Sequence, residues 1–169
     1  GVVKKMIRIG LLSDTHGYFP DSVFQYFEEC DEIWHAGDLG TLELADQLAA
    51  FKPLRGVYGN IDGQDVRIVH PEHQFFICEE VKIWMTHIGG YPGKYPAKVK
   101  ETLLNYQPDL FICGHSHILK VIYDKNLHFL HLNPGAAGKQ GWHKVRTLLR
   151  FDIFDKKIHN LEAIELGSR

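Results

Sequence analysis

Three carboxylates, an amide and four imidazoles fall in five short polar clusters, each just past an apolar run: Asp14-Thr15-His16, Gly37-Asp38, Gly59-Asn60-Ile61-Asp62, Thr86-His87 and Gly114-His115-Ser116-His117. Imidazole nitrogen together with carboxylate oxygen suits divalent Mn, Fe, Zn, Co or Ni, whereas an all-oxygen set suits Mg or Ca. Taken singly, each cluster has a plain structural reading. Asp14 and Asp38 could cap the helices that follow, Asn60 could be a turn residue, and His87 could be a core histidine with its hydrogen bonds met. Taken together the metal reading prevails, because crowded Asp and His side chains strand polar atoms unless a cation organises them. Cys30, Cys78 and Cys113 are far apart and form no CxxC pair, so a closed thiolate zinc site is not expected. A catalytic site with open coordination positions fits better.

For five clusters to meet, five elements must end at one place. Ile7 to Ser13 reads as a buried strand, and Asp21 as the cap of a helix through Glu29 that places Val23, Phe24 and Phe27 on one face. Glu32 to His35 is a second strand and Thr41 to Phe51 a second helix. Leu54 to Tyr58, after the break at Pro53, is a third strand. Short apolar runs alternating with amphipathic stretches indicate βα units on a mainly parallel sheet, whose carboxyl ends are where ligands bind. The pattern then changes. Gln74 to Cys78 and Val81 to Thr86 read as an antiparallel hairpin, followed by a Gly/Pro/Tyr loop at 89–96, a helix from Ala97 to Asn105 and a strand from Leu110 to Cys113. Further strands are expected at Lys120 to Asp124, Leu127 to Leu132, Thr147 to Asp152 and Ile158 to Leu166, without long helices between them. The expected architecture is a four-layer α/β/β/α sandwich, with two mixed sheets face to face and helices outside.

Composition narrows the function. At 169 residues the chain can bury a core without disulfides, and no repeat, linker or low-complexity tract marks a boundary, so one domain spanning 1–169 is expected. A net charge of -2 with no basic stripe argues against polymeric nucleic acid. No apolar run approaches the length of a membrane span, and the stretch after Lys4 and Lys5 lacks a signal-peptide pattern. With three dispersed cysteines, these features lead us to expect a cytoplasmic protein.

In these five clusters the sequence resembles the calcineurin-like metallophosphoesterases, whose pattern runs D-x-H, GD, GN-x-[D/E], a lone His and GH-x-H. All five pieces occur in order across residues 14–117. The length and the Asn133-Pro134-Gly135 turn are most similar to the small YfcE-type phosphodiesterases. The resemblance implies two divalent ions, with Mn favoured and Ni, Fe, Zn, Co or Mg as alternatives. It implies that Asp14, His16 and His117 hold the first ion and Asn60, His87 and His115 the second, with Asp38 bridging them through its two oxygens. Asp38, Asn60, Asp62 and His87 are placed nearest the reaction. That reaction is hydrolysis of a small phosphate ester by a hydroxide held between the ions, so no Ser or Cys nucleophile is needed. Two dications against Asp14, Asp38 and a hydroxide leave a net positive centre, which attracts phosphate. Relatives form dimers or tetramers, so a homodimer or homotetramer is implied.

Two departures from the pattern matter. Ile61 stands where many phosphomonoesterase relatives have His, and isoleucine cannot protonate a leaving oxygen. Ile88 follows His87 where YfcE-type relatives more often have Gly, and the loop beyond it, with Tyr91, Lys94 and Tyr95, is read either as substrate-contacting or as an ordinary surface loop. Asp62 is expected to accept the outer N–H of a metal-bound imidazole. His35 is read as a buried hydrogen-bonding residue, and His70, His73, His128, His131, His143 and His159 as structural or surface positions. Lys139, Trp142 and His143 are open between lining the pocket and self-association. The rivals are a phosphomonoesterase, a nuclease, and a non-catalytic protein-interaction scaffold like a retromer subunit of the same fold. An intact ligand set disfavours the scaffold, and the missing basic groove disfavours the nuclease.

Overall fold

The computed structural model describes residues 5–169, so Lys4 of the reading above lies outside the described residues. Its first sheet begins with β1 (Ile7–Leu12), β2 (Glu32–His35) and β3 (Leu54–Gly56), all parallel and laid side by side. Helices α1 (Ser22–Phe27) and α2 (Leu42–Phe51) make the crossovers. Thr41 starts α2 by accepting from the Leu44 N–H at 3.1 Å. Asp21 is itself helical and its side chain caps nothing, so that expectation fails. A short helix, α3 (Gln64–Val69), follows the Asn60 cluster and was not expected from the sequence. Its six residues carry too little periodicity to announce themselves.

The second sheet contains β4 (His73–Cys78), β5 (Val81–Thr86), β6 (Leu110–Ile112), β7 (Leu119–Asp124) and β8 (Phe129–Pro134), with α4 (Ala97–Tyr106) between β5 and β6. Then β9 (Val145–Phe154) and β10 (Lys157–Ser168) return to the first sheet. The strand orders are β10-β9-β1-β2-β3 and β4-β5-β6-β8-β7, and both sheets are mixed. β8 begins two residues later than expected. The Asp124 carboxylate accepts from the Asn126 and Leu127 N–H groups at 2.9 Å each, which makes 124–127 a turn rather than a strand entry.

Strand alternation divides the apolar residues into layers. Ile9, Leu11, Trp34, Leu149 and Phe151 face Ile83, Met85, Leu110, Ile112 and Leu132 between the sheets. Leu12, Ile33 and Leu148 turn outward to Val23, Phe27, Leu44 and Leu48 of α1 and α2. Trp84, Phe111 and Phe129 turn to Val99 and Leu103 of α4. These three apolar interfaces give the expected four layers. No helix of the described residues is long and apolar enough to cross a membrane.

Candidate metal centre

The parallel strands of both sheets end at one edge of the sandwich, and loops there are stitched together by backbone bonds. Asp14 N–H donates to Gly37 O at 2.9 Å and His16 N–H to Asp38 O at 3.0 Å, joining the ends of β1 and β2. Gly114 N–H donates to His87 O at 2.9 Å, joining β5 to β6. Five of the seven expected ligands, Asp14, His16, Asp38, His115 and His117, have positive φ between 47° and 69°. Non-glycine residues adopt this region at a cost of order 1 kcal/mol each, and such strain concentrates at functional sites.

The side chains form two tripods. Asp14, His16 and His117 offer ligand atoms all within 4.8 Å of one another, and so do Asp38, His87 and His115. Asn60 Oδ1 lies 3.1 Å from His115 Nδ1, which puts the amide beside the second tripod. Asp38 Oδ2 stands between them, 3.4 Å from His16 Nε2 and 3.1 Å from His87 Nε2. The other oxygen, Oδ1, accepts from the Ile61 N–H at 3.0 Å. Oδ2 is thus the Asp38 oxygen turned toward imidazoles of both tripods, while the backbone at position 61 holds the carboxylate by its other oxygen.

One donor has its tautomer fixed in the form that a metal requires. His87 Nδ1 is 2.7 Å from Ala36 O. A carbonyl only accepts, so Nδ1 carries the hydrogen and Nε2 of the neutral ring presents a lone pair. That lone pair is buried, has no hydrogen-bond partner, and faces a carboxylate oxygen, as does His16 Nε2. Two buried ring nitrogens without a hydrogen-bond partner, each beside a carboxylate oxygen, call for a cation. The residues present therefore fit a divalent metal pair.

Without metal, protons must serve instead. Burial alone would raise the Asp14 carboxyl, but the His117 and His16 imidazoles outweigh it and hold it below the ordinary carboxylate range. Asp38 is likewise raised by burial and lowered further by His16 and His87. His16, beside Asp14 first and Asp38 second, is pushed up to about 9.

The surrounding residues hold the ligands in place. Ser13 Oγ donates to Asp14 Oδ2 at 2.6 Å, and His115 N–H donates to the same oxygen at 3.1 Å. Asn133 Nδ2 donates to Gly114 O and to Ser116 Oγ, at 3.1 Å each, which pins the loop carrying His115 and His117. No pattern in the sequence singles out Ser13. His35 is fully buried: its Nδ1 accepts from Gly37 N–H at 3.1 Å, and its Nε2 lies 3.0 Å from Thr15 Oγ1, which itself donates to Leu39 O. Burial pulls it down to about 3, so it stays neutral and structural, as the sequence suggested.

Asp62 does not accept from an imidazole. Its carboxylate takes the N–H groups of Leu39 at 3.1 Å, Gly40 at 2.8 Å and Gly59 at 2.8 Å, tying the Asp38 loop to the Asn60 loop. Asp62→Ala should leave these amides without partners, at about 1–3 kcal/mol for each one that water cannot reach. We expect urea denaturation to show a loss of about 3 kcal/mol and dialysis to strip metal faster. Unchanged stability would contradict this bracing role.

Two glycine-rich loops behave differently from each other. In the loop at 89–96, Tyr95 OH donates to Asp124 at 3.3 Å and Lys120 packs over Tyr91 at 4.9 Å, so these two side chains turn toward β7. The loop after Asn133 reaches the site. His143 packs edge-on against His117 with ring centres 5.1 Å apart, and its Nε2 donates to Gly138 O at 2.8 Å. Lys139 sits over Tyr18, and Trp142 is 97% exposed. Burial pushes Cys30 and Cys78 up to about 11 and Cys113 to about 12, which removes them as nucleophiles.

Comparison with known proteins identifies the family and the fold. Residues 7–156 match the model of the calcineurin-like phosphoesterase superfamily domain. A probable metallophosphoesterase of Methanocaldococcus jannaschii is 31% identical over 164 residues, covering 93% of this chain and 81% of its own. Among solved structures, the YfcE phosphoesterase of E. coli superimposes with a TM-score of 0.61 at 18% identity, covering 94% of this chain and 100% of the other. Wild-type Vps29 of Entamoeba histolytica, solved with zinc, does so with a TM-score of 0.67 at 17% identity, covering 94% and 99%. At these identities the two structures speak for the fold alone. The family model spans most of the chain and the strand-end ligand clusters fall inside it, so this chain belongs to the calcineurin-like phosphoesterase superfamily.

Proposed function

We propose that this chain is a phosphodiesterase that holds two divalent ions, Mn in preference to Ni, Fe, Zn, Co or Mg, and hydrolyses small phosphate esters. The observation that carries the reading is the pair of buried Nε2 atoms without hydrogen-bond partners, one on His16 and one on His87, both facing Asp38 Oδ2 although they belong to different tripods. Asp14, His16 and His117 would hold one ion, Asn60, His87 and His115 the other, and Asp38 Oδ2 would serve both. When bound, such a pair lowers the pKa of water and neutralises phosphoryl oxygens. The chain supplies position: the Ala36 carbonyl fixes the tautomer of His87, the Ile61 N–H aims Asp38, and Ser13 with the His115 N–H orients Asp14. A scaffold of the Vps29 fold is the second reading, and since one such protein was solved with zinc, turnover rather than metal binding separates the two.

Ile61 sets the substrate preference. Its side chain is about half exposed beside Asn60 and carries no proton to give a leaving oxygen. Esters with good leaving groups should therefore be hydrolysed best. Protein reconstituted in turn with Mn, Ni, Zn or Mg should cleave bis-p-nitrophenyl phosphate at least about 100-fold faster than a sugar phosphate, the usual worth of one general acid. Equal rates would overturn the preference for diesters, and no turnover with any metal would favour the scaffold.

Acidity should oppose metal binding with a definite sign. In the metal-free fold His16 is raised from 6.5 to about 9, so its charged form stabilises that fold fully below pH 6.5 and this contribution fades as pH rises through about 9. Metal binding must remove the same proton. The rise in melting temperature produced by Mn should therefore grow from pH 6.5 to 9, as read by differential scanning fluorimetry. A shift that is constant over this range would contradict the assignment of His16.

A further inference from the structure

We infer that the cavity next to Asn60 and His87 binds the organic group of the phosphoester, and that this group is an aromatic ring bearing an anionic substituent directed at Lys98. This inference rests on the phosphoesterase reading and names its substrate class. The cavity measures about 350 Å³ and shares Asn60 and His87 with the second tripod, so a phosphoryl group held there has this space as a neighbour. A larger cavity of about 440 Å³ lies along α2 and β3 and contains none of the seven ligands.

The lining decides the chemistry. Tyr58, Trp84, Ile88 and Val99 contribute apolar surface. Trp84 has its one N–H directed to His73 Nδ1 at 3.3 Å, so it asks for no polar partner from a ligand. An apolar cavity of about 150 Å³ accepts benzene, so the space here takes a ring with a substituent.

The charged residues then differ in what they leave free. Glu72 accepts from Tyr58 OH at 3.4 Å and lies 3.7 Å from His73 Nε2. Lys98 is exposed and, among the described residues, makes no ion pair. It also sits in the first turn of α4, where the helix dipole disfavours a cation. Its ammonium is therefore left to solvent at the rim of the cavity, where an anionic substituent would find a counter-charge.

The test is calorimetric binding to the Mn-loaded protein of methylphosphonate, phenylphosphonate and para-carboxyphenylphosphonate. Phenylphosphonate should bind about 10-fold or more tighter than methylphosphonate, and the carboxyphenyl compound tighter again. Thr102→Trp, which fills the cavity, should abolish the advantage of the ring while leaving methylphosphonate affinity intact, so retained binding also reports a retained fold. Lys98→Ala should remove only the extra gain from the carboxylate. Methylphosphonate binding with no ring advantage, or an advantage that survives Thr102→Trp, overturns this inference alone. Failure of all three compounds to bind overturns the metal-centred reading and this inference with it.

Discussion

Asp38→Asn should lower kcat/KM for bis-p-nitrophenyl phosphate by on the order of 10³-fold, about 4 kcal/mol of transition-state stabilisation. The substitution is nearly isosteric, so the fold should survive, and its effect isolates charge. Asp38 Oδ2 lies within 3.4 Å of imidazoles from both tripods. An amide there can neither neutralise two ions nor hold them together, and one of its ends presents a donor where an acceptor is needed. Atomic emission on the dialysed variant should show metal content reduced by half or more relative to the parent. A variant with full metal content and a rate within about 3-fold of the parent would remove Asp38 from the centre of the site.

Gly59→Ala should be almost as damaging, although glycine has no side chain to contribute. A Cβ on residue 59 would collide with the Asp38 carboxylate and backbone nitrogen. Gly114 is constrained in the same way by Ser13 and the Asp14 carboxylate. The glycines before Asn60 and His115 are therefore steric requirements of a different candidate ligand, one that arrives from another strand. Displacing a metal-binding carboxylate by about 1 Å costs about 100-fold in rate, and we expect at least that loss for Gly59→Ala. Far-ultraviolet circular dichroism should stay unchanged while bound metal falls. Parental activity in a folded Gly59→Ala protein would mean that the two loops are looser than their contacts indicate.

Much of this was legible in the sequence, and the reasons are specific. Ile9, Leu11 and Trp34 alternate with residues facing the other way, and that period of two reveals strands directly. Each ligand follows such a run, so the strand ends declared themselves, and the order of the five clusters carried the resemblance to the family. What stayed hidden depends on backbone rather than residue type. Asp62 looked like a partner for an imidazole because its three real partners are amides, which every residue possesses. The Ile61 N–H that holds Asp38 by one oxygen is invisible for the same reason. The left-handed conformation of five candidate ligands could not be foreseen either, since Asp and His tolerate that region without announcing it. The cavity beside His87 assembles Tyr58, Trp84, Ile88 and Lys98 from β3, β5 and α4, or the loops that follow them, and only their packing brings them together.

The most direct test of the two-metal account is anomalous diffraction from crystals grown with Mn, collected on either side of its absorption edge. The account predicts two peaks, one within Asp14, His16 and His117 and one within Asp38, His87 and His115, with Asp38 Oδ2 reaching both. A single peak, or metal bound away from Asp38, would contradict it.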